Sequence, residues 1–323
     1  GVRMSDLQIV SNFLYLGETA MSPHAFPGFQ GVRRGEAELA LPKLIYFDTS
    51  VYNQLPSKER LRSKVKRAVR NGRIRVVFSA LNFDEILATR EPTRTVRLMQ
   101  LSREICDPNW MVKHLKDALD DEIRAFVRQN FRPYPWYVLT VRRDMRDAWE
   151  KACIHDELVK IPEGWYDEFQ ANKRQFLDSM KSTWSLLRPE WEKWDVGSYD
   201  ELWNTLDRGR GLLQLVRELG RRASSSISEN QLRGLKKRMN EESKALYGLC
   251  RHISAMFYEW YVEGKKPRWG DDVDMRHAAF APHFDILVTN DGAFDKTLRI
   301  HSASRPVIVW LGDFEAELDS GKL

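Results

Sequence analysis

Four carboxylates stand at places in the sequence where acidic side chains could do chemistry together. Asp48 ends the apolar stretch LIYFDTS, Glu85 and Asp291 each follow another apolar stretch, and Asp274 precedes the last of these. Two carboxylates about 4 Å apart repel by roughly 4 kcal/mol at an effective dielectric of 20. A shared site therefore needs either protonation or a divalent cation. Hard oxygen ligands favour Mg²⁺ or Mn²⁺ over zinc.

Each of these carboxylates also fits an ordinary structural role. Asp48 before Thr-Ser resembles a helix N-cap, and Asp274 could favour the dipole of its helix. A lone Glu in an amphipathic helix, such as Glu85, is usually solvated. The sequence Thr-Asn-Asp-Gly around Asp291 is a plausible turn. Four independent caps need not fall at four corresponding strand ends, so the joint pattern favours a shared site.

Short apolar segments at 43–48, 74–79, 285–289 and 306–310 are predicted to be the strands that position these residues. Helical spacing over 57–70 separates the first two, ending at Asn71-Gly72. Strands separated by helical segments indicate an α/β fold with a parallel sheet. In such sheets ligands bind beyond the carboxyl ends of the strands, which is where the acids are predicted to lie.

The remaining chain divides by composition into further regions. Residues 1–42 are broken by Pro and Gly and are interpreted as an N-terminal extension, while 93–262 reads as almost wholly helical. The predicted organisation is an extension over 1–42, the first part of the core over 43–130, a helical insertion over 131–265 and the second part of the core over 266–323.

Composition limits the class of protein. The chain has 323 residues, a net charge of +5 and a pI near 9.0, which permits a polyanionic partner such as nucleic acid. Its three cysteines form no CxxC pair, so neither a disulfide framework nor a cysteine-zinc site is indicated. With no signal pattern and no long apolar run, a cytoplasmic protein without a membrane span is expected.

The motifs around the four acids resemble those of the PIN-domain nuclease superfamily. They are YFDTS with Asp48, SALNFDEIL with Glu85, DMRHAA with Asp274 and LVTNDGAF with Asp291. The likeness covers roughly 43–92 and 271–310, and the central helical region has no counterpart in compact members. The resemblance implies a PIN-like three-layer α/β sandwich with a central parallel sheet, elaborated by a large, mostly helical insertion.

The resemblance also implies roles for particular residues. The catalytic and metal-binding carboxylates would be Asp48, Glu85, Asp274 and Asp291, with Asp295 as an additional metal ligand. Phosphate or water would be positioned by Thr49, Ser50, Thr289 and Asn290. Three neighbours are alternatives: Asp84 for Glu85, and Asp271 or Asp272 for Asp274. Spacing favours Glu85, the following RHAA favours Asp274, and His277 is expected to pack or to support the site.

The implied activity is Mg²⁺- or Mn²⁺-dependent hydrolysis of phosphodiester bonds by an activated water, leaving a 5′-phosphate and a 3′-hydroxyl. Since most of the superfamily acts on RNA, an endoribonuclease is expected, for which a toxin-like or defence role is reasonable. Two alternatives remain open: a catalytically degenerate PIN-like module that binds RNA or a partner, and a structure-selective DNA nuclease. Ser50 stands where haloacid-dehalogenase-like enzymes carry a second Asp, which argues against an aspartyl-phosphate.

Nucleic-acid contacts are predicted in the basic stretch 58–75, which has nine Lys and Arg against one Glu. The residues expected to bind are Arg60, Arg67 and Arg70, and a solvated helix face is the alternative. Seven of the eleven Trp lie between 136 and 203, where they would form a helical core or stack on unpaired bases. A regulatory or inhibitory protein partner and a homo-oligomer are both compatible with such a nuclease.

Overall fold

The computed structural model describes residues 42–89, 91–128, 165–191, 196–208, 211–224, 226–301 and 307–321. The strands are β1 Lys43–Phe47, β2 Ile74–Ser79, β3 Cys106–Val112, β4 Ile286–Thr289 and β5 Val307–Trp310. The helices are α1 Thr49–Gln54, α2 Glu59–Arg70, α3 Ala80–Leu87, α4 Pro92–Ile105, α5 Leu115–Val127, α6 Trp165–Trp191, α7 Tyr199–Arg208, α8 Gly211–Ala223, α9 Glu229–Glu242, α10 Lys244–Phe257, α11 Asp271–Phe280, α12 Gly292–His301 and α13 Leu311–Asp319. Apart from residue 42, the expected extension lies outside the described residues, and so does 131–164 of the expected insertion.

The strands form one parallel sheet in the order β3-β2-β1-β4-β5. In the central strand β1, Ile45 pairs with Val76 of β2 on one side and with Ile286 of β4 on the other. The predicted α/β class and the predicted parallel sheet are therefore confirmed. The four predicted strands agree with the observed ones to within one residue at each end.

The edge strand β3 was not expected, because most of 93–262 has a helical pattern. Its sequence contains Asp107, Pro108 and Asn109, which disfavour a strand. A proline is tolerated in an edge strand because only one side of it must supply ladder hydrogen bonds. The pairing is also irregular, since it moves from Val76–Cys106 directly to Phe78–Met111.

Two hydrophobic clusters cover opposite faces of the sheet. Ile45 and Phe47 belong to one cluster and Tyr46 belongs to the other, as the alternation of side chains along a strand requires. The first cluster contains residues of α1–α4 and α13, and the second contains residues of α5–α12. This arrangement is compatible with a three-layer sandwich. The described helices of the expected insertion share their core with the sheet.

Helix α10 packs very closely against α11 at Gly248. A Cβ atom at this position would lie 2.6 Å from the carbonyl oxygen of Ala279 and 2.8 Å from Cδ of Pro282. Only a glycine permits this approach without moving the backbone of α11. Because α11 carries Asp274 and His277, the contact helps to fix the position of both residues against the sheet.

None of the helices in the described ranges is long and apolar enough to cross a membrane.

Candidate active site

The four predicted carboxylates lie on segments that reach the carboxyl edge of the sheet. Asp48 directly follows β1, Asp291 lies two residues after β4, and Glu85 is in the helix that begins where β2 ends. Asp274 is in the first turn of α11. Since α11 leads back to the start of β4, its first turn faces the same edge. The charges of Asp48 and Asp291 both act on Asp274, which agrees with this placement.

Asp48 is a buried carboxylate that joins the ends of β1 and β4. Its Oδ1 accepts hydrogen bonds from the Ser50 hydroxyl at 2.6 Å and the Val51 amide at 3.1 Å. Its Oδ2 accepts from the Thr289 hydroxyl at 2.5 Å. Burial raises the pKa of Asp48, while the charge of His277 and these hydrogen bonds oppose the increase. Asp48 is thus both the N-cap of α1 and a carboxylate held in a fixed orientation.

The residues expected to position phosphate or water are already engaged within the site: Thr49, Ser50, Thr289 and Asn290. Two of their hydroxyls donate to Asp48 and one donates to Glu85 at 2.5 Å. The backbone amide of Asn290 donates to the Ser50 hydroxyl at 2.8 Å. In this structure these groups orient the carboxylates, and a contact with phosphate stays a prediction.

Glu85 belongs to a closed ring of hydrogen-bonded side chains. Its members, in order around the ring, are Glu85, His277, Tyr46, Ser79, Asn82 and Thr49. Consecutive members are joined by heavy-atom distances of 2.5 to 3.0 Å. The ring connects β1, α1, β2, α3 and α11, so it ties together segments that are far apart in the sequence.

Backbone groups set the direction of donation around one side of this ring. Asn82 Oδ1 accepts from the Ser79 amide at 3.1 Å and Asn82 Nδ2 donates to the Phe47 carbonyl at 3.2 Å, which fixes the side-chain amide. The Ser79 hydroxyl therefore donates to Asn82 Oδ1 and accepts from Tyr46. Tyr46 also lies within hydrogen-bonding distance of His277, with 2.6 Å between its hydroxyl oxygen and His277 Nδ1.

The other side of the ring leads to Glu85. Asn82 Nδ2 donates to the Thr49 hydroxyl, which in turn donates to Glu85. Burial acts to raise the pKa of Glu85, but the hydrogen bond and charge of His277, the hydrogen bond from Thr49 and the charge of Lys173 together lower it. An ionised carboxylate has no proton to give, so His277 donates to Glu85 from Nε2. Glu85 is therefore held as a carboxylate by hydrogen bonds from His277 and Thr49.

Asp274 has the weakest compensation of the four carboxylates. Arg268 lies 2.8 Å from Asp271 through Nε but only reaches within 3.8 Å of Asp274 Oδ2. Burial raises the pKa of Asp274 well above its ordinary value. The negative charges of Asp291, Asp271 and Asp48 raise it further, against the charge of Arg268.

Two alternatives from the sequence are paired elsewhere. Asp272 lies 3.0 Å from the Arg276 guanidinium, and Asp84 lies 3.6 Å from His114. Asp84 takes no part in the ring around Glu85. These pairings favour the residues that the sequence spacing selects.

Asp291 is the first residue of the segment that enters α12. Its Oδ1 accepts from the amides of Ala293 at 2.8 Å and Phe294 at 3.1 Å. Asp295, expected as an additional metal ligand, lies one turn further on and binds Arg299 Nε through both oxygens at 2.9 Å. Its role as a ligand stays a prediction.

The basic helix α2 carries the exposed residues expected to bind nucleic acid, Arg60, Arg67 and Arg70. Part of its charge is neutralised, because Lys64 lies 2.9 Å from Glu315 and 2.7 Å from Asp319 of α13. Arg70 ends α2 beside Gly72, which has a φ of 68° and leads the chain into β2. It therefore lies at the amino edge of the sheet, opposite the carboxylates and about 15 Å along the helix from Arg60.

The chemistry of the four carboxylates suits a hard divalent cation. They offer only oxygen donors, and burial with mutual repulsion leaves Asp274 under-compensated. Within the described ranges, however, no group of three or more His, Cys, Asp or Glu side chains is arranged to hold a metal ion.

No family model, curated protein or solved structure matches the chain. What the chain does is therefore inferred from its own residues and their geometry.

Several residues at this site carried no recognised signal in the sequence. The pattern Ser79-x-x-Asn82 is a capping box at the start of α3, which sequence rules could have found. Lys173 of α6 acts on Glu85 through its charge, although it lies in a long helical stretch without a motif. Only the three-dimensional packing reveals this second contribution.

Proposed function

We propose that the protein is a divalent-metal-dependent nuclease that hydrolyses phosphodiester bonds, with RNA as its substrate. The observation that supports this most is the under-compensated charge of Asp274 beside Asp48 and Asp291 at the carboxyl edge of the parallel sheet. Burying like charges together is costly unless a cation or a proton joins them. The motifs that resemble PIN-domain nucleases contribute the same residues.

The residues that would hold Mg²⁺ or Mn²⁺ are Asp48, Glu85, Asp274 and Asp291. When bound, such an ion lowers the pKa of a coordinated water and stabilises negative charge on the phosphate. The protein's own contribution is to hold the carboxylates ready. Hydroxyl donors orient Asp48, the hydrogen-bonded ring keeps Glu85 ionised, and backbone amides fix one oxygen of Asp291.

A second candidate is a catalytically degenerate module that binds RNA or a partner. It is favoured by the absence, among the described residues, of a three-ligand group arranged to hold a metal ion. The two candidates differ in what divalent ions do. The nuclease requires them for turnover, whereas a binding module does not.

The test is a cleavage assay on labelled single-stranded RNA and DNA with Mg²⁺, Mn²⁺ or EDTA, followed by mapping of the product ends. We expect metal-dependent cleavage of RNA. Asp291→Asn and Asp48→Asn should each reduce the cleavage rate by roughly 100-fold or more. The two effects should not add in the double variant, because both substitutions disable the same metal site. Asp200→Asn, an exposed carboxylate of α7, is the matched control and should cleave normally.

Cleavage that is absent with either metal, or unaffected by Asp291→Asn, would remove the nuclease proposal and leave the binding module. Unchanged or tighter RNA binding by Asp291→Asn would show that the variant is folded and that a carboxylate repelling phosphate has gone.

A further inference from the structure

A cleft of about 310 Å³ lies between α6 and the segment just before α11. Its lining consists of Tyr166, Asp167, Gln170, Ala171, Arg174 and Trp269. Trp269 is 41% exposed and is one of three large hydrophobic residues that the described chain leaves exposed. This volume is at the small end of ligand pockets, which span about 300 to 1,000 Å³, so the cleft suits a small planar group.

Positive charge accompanies the aromatic surface of the cleft. Lys173 Nζ lies 5.8 Å from the centroid of the Trp269 ring and 5.5 Å from that of Phe169. Arg174 lines the cleft, and Asp167 is the acidic member of the same lining. An aromatic face beside basic side chains is the combination that proteins use for unpaired nucleotides, with the base stacked and the phosphate attracted.

The cleft adjoins the carboxylates through the residues on both sides of Trp269. Arg268 lies 3.8 Å from Asp274 Oδ2 through Nη2. A Cβ atom at Gly270 would lie 3.7 Å from the same oxygen. Lys173, on α6 next to the lining residue Arg174, is close enough for its charge to help lower the pKa of Glu85. A nucleotide in the cleft would therefore have its backbone beside the proposed cleavage site.

We propose that Trp269 stacks on an unpaired base of the RNA, in the cleft that Lys173 and Arg174 flank, and so positions the neighbouring phosphate at the carboxylates. This inference rests on the proposed function, since it names the state of the substrate that the site accepts. Single-stranded RNA is selected because the bases of a duplex are already stacked on one another and their faces are not free.

The test measures binding of a fluorescein-labelled, single-stranded RNA octamer by fluorescence anisotropy in EDTA, so that no cleavage occurs. Trp269→Ala should raise the Kd by about 10-fold, and Trp269→Phe should retain most of the affinity because a ring remains. Val262→Ala, an exposed apolar residue outside the lining, is the matched control and should bind like the wild type. A duplex of the same sequence should bind both proteins alike.

An abasic scan of the octamer locates the stacked base. At one position, removal of the base should weaken the wild type by about 10-fold and leave Trp269→Ala unaffected. The same coupling on single-stranded DNA supports the proposal too, since the base is the group that is held. The proposal is overturned if the wild type does not bind the octamer, or if Trp269→Ala binds it within about twofold of the wild type. It is also overturned if Trp269→Ala weakens the binding of the octamer and of the duplex equally, or if no abasic position shows coupling to Trp269.

These outcomes are separate from those of the nuclease test, because binding in EDTA needs no catalysis. A chain that binds as described but never cleaves would keep the cleft and lose the nuclease. If the protein cleaves RNA with metal but Trp269→Ala binds RNA like the wild type, the nuclease proposal stands and the cleft proposal fails.

Discussion

Glu122 and Asp274 are both buried carboxylates, and the protein treats them in opposite ways. Glu122, in the helical layer, accepts hydrogen bonds from the Ala245 amide at 3.0 and 3.1 Å and the Leu246 amide at 3.3 Å. In addition, His283 Nε2 lies 3.0 Å from Glu122 Oε1. Asp274 instead has an arginine nitrogen at 3.8 Å and three negative neighbours.

Glu122 therefore contributes to the stability of the fold, whereas the ionised form of Asp274 reduces it. The charge of Glu122 is met by the N-terminal amides of α10, where a negative group also favours the helix dipole. The charge of Asp274 is offset only by Arg268 at 3.8 Å, against three negatively charged neighbours. Substitutions at the two positions should therefore change stability in opposite directions.

Glu122→Ala should give the largest effect. It leaves two buried backbone amides of α10 without an acceptor and removes the carboxylate that His283 contacts, which should cost about 3–5 kcal/mol of unfolding free energy. Urea denaturation measures the change, and Glu241→Ala on the exposed face of α9 is the control. A loss below about 1 kcal/mol would contradict the role given to Glu122.

Acid should weaken the helical layer through His252 and His301, whose rings meet at 3.1 Å. Burial, followed by the charge of Arg251, lowers the pKa of His301 to about 3, and burial also lowers that of His252. The unfolded chain binds these protons near pH 6.5. This contribution to stability is therefore complete above pH 6.5 and is lost as the pH falls toward 3.

The expected slope is about 1.4 kcal/mol per pH unit for each histidine. His301→Gln should reduce the slope between pH 6 and 4 by about one histidine's share, whatever its effect at neutral pH. The measurement is urea denaturation at several pH values. An unchanged slope would show that His301 is not held neutral by the fold.

Asp274→Asn should have a smaller effect, and in the stabilising direction. Because the pKa of Asp274 is raised in the folded state, ionisation of Asp274 lowers the stability of the fold. This stability is lost as the pH rises through the pKa that Asp274 has in the folded protein. Removing the charge should increase stability at pH 7 by about 0.5–2 kcal/mol, the range common for relief of unfavourable charge. Differential scanning calorimetry without divalent ions measures it.

The same variant tests for the cation. Mg²⁺ or Mn²⁺ at tenfold its Kd should stabilise the wild type by about 1.4 kcal/mol, and Asp274→Asn by clearly less. A Na⁺ sample of equal ionic strength is the reference. Equal shifts in both proteins would mean that the ion does not bind at Asp274.

The sequence predicts the central strands well because strands buried on both faces consist of consecutive apolar residues. Ile45, Tyr46 and Phe47 are all fully buried, and the charged residue of β1, Lys43, stands at its start. The edge strand β3 escapes prediction because an edge position tolerates Asp, Pro and Asn. A strand's identity therefore depends on a position in the sheet that the local sequence does not encode.

At the site, the sequence predicts which acids follow strands but not what holds them. Asp48 and Asp291 are visible because they come directly after buried runs. Tyr46 looks like an ordinary core residue, and its bond to His277, 231 positions away, depends on how α11 packs. The placement of Trp269 beside α6 depends in the same way on contacts between distant segments.

The close approach at Gly248 has a consequence for how such a protein could change. A methyl group added there would meet the backbone of α11 from behind and shift Asp274 and His277 together. The geometry of the carboxylate site thus depends on a buried residue that lies outside the site. Side chains of increasing size at residue 248 would change the distances between the carboxylates by increasing amounts, without replacing any of the carboxylates.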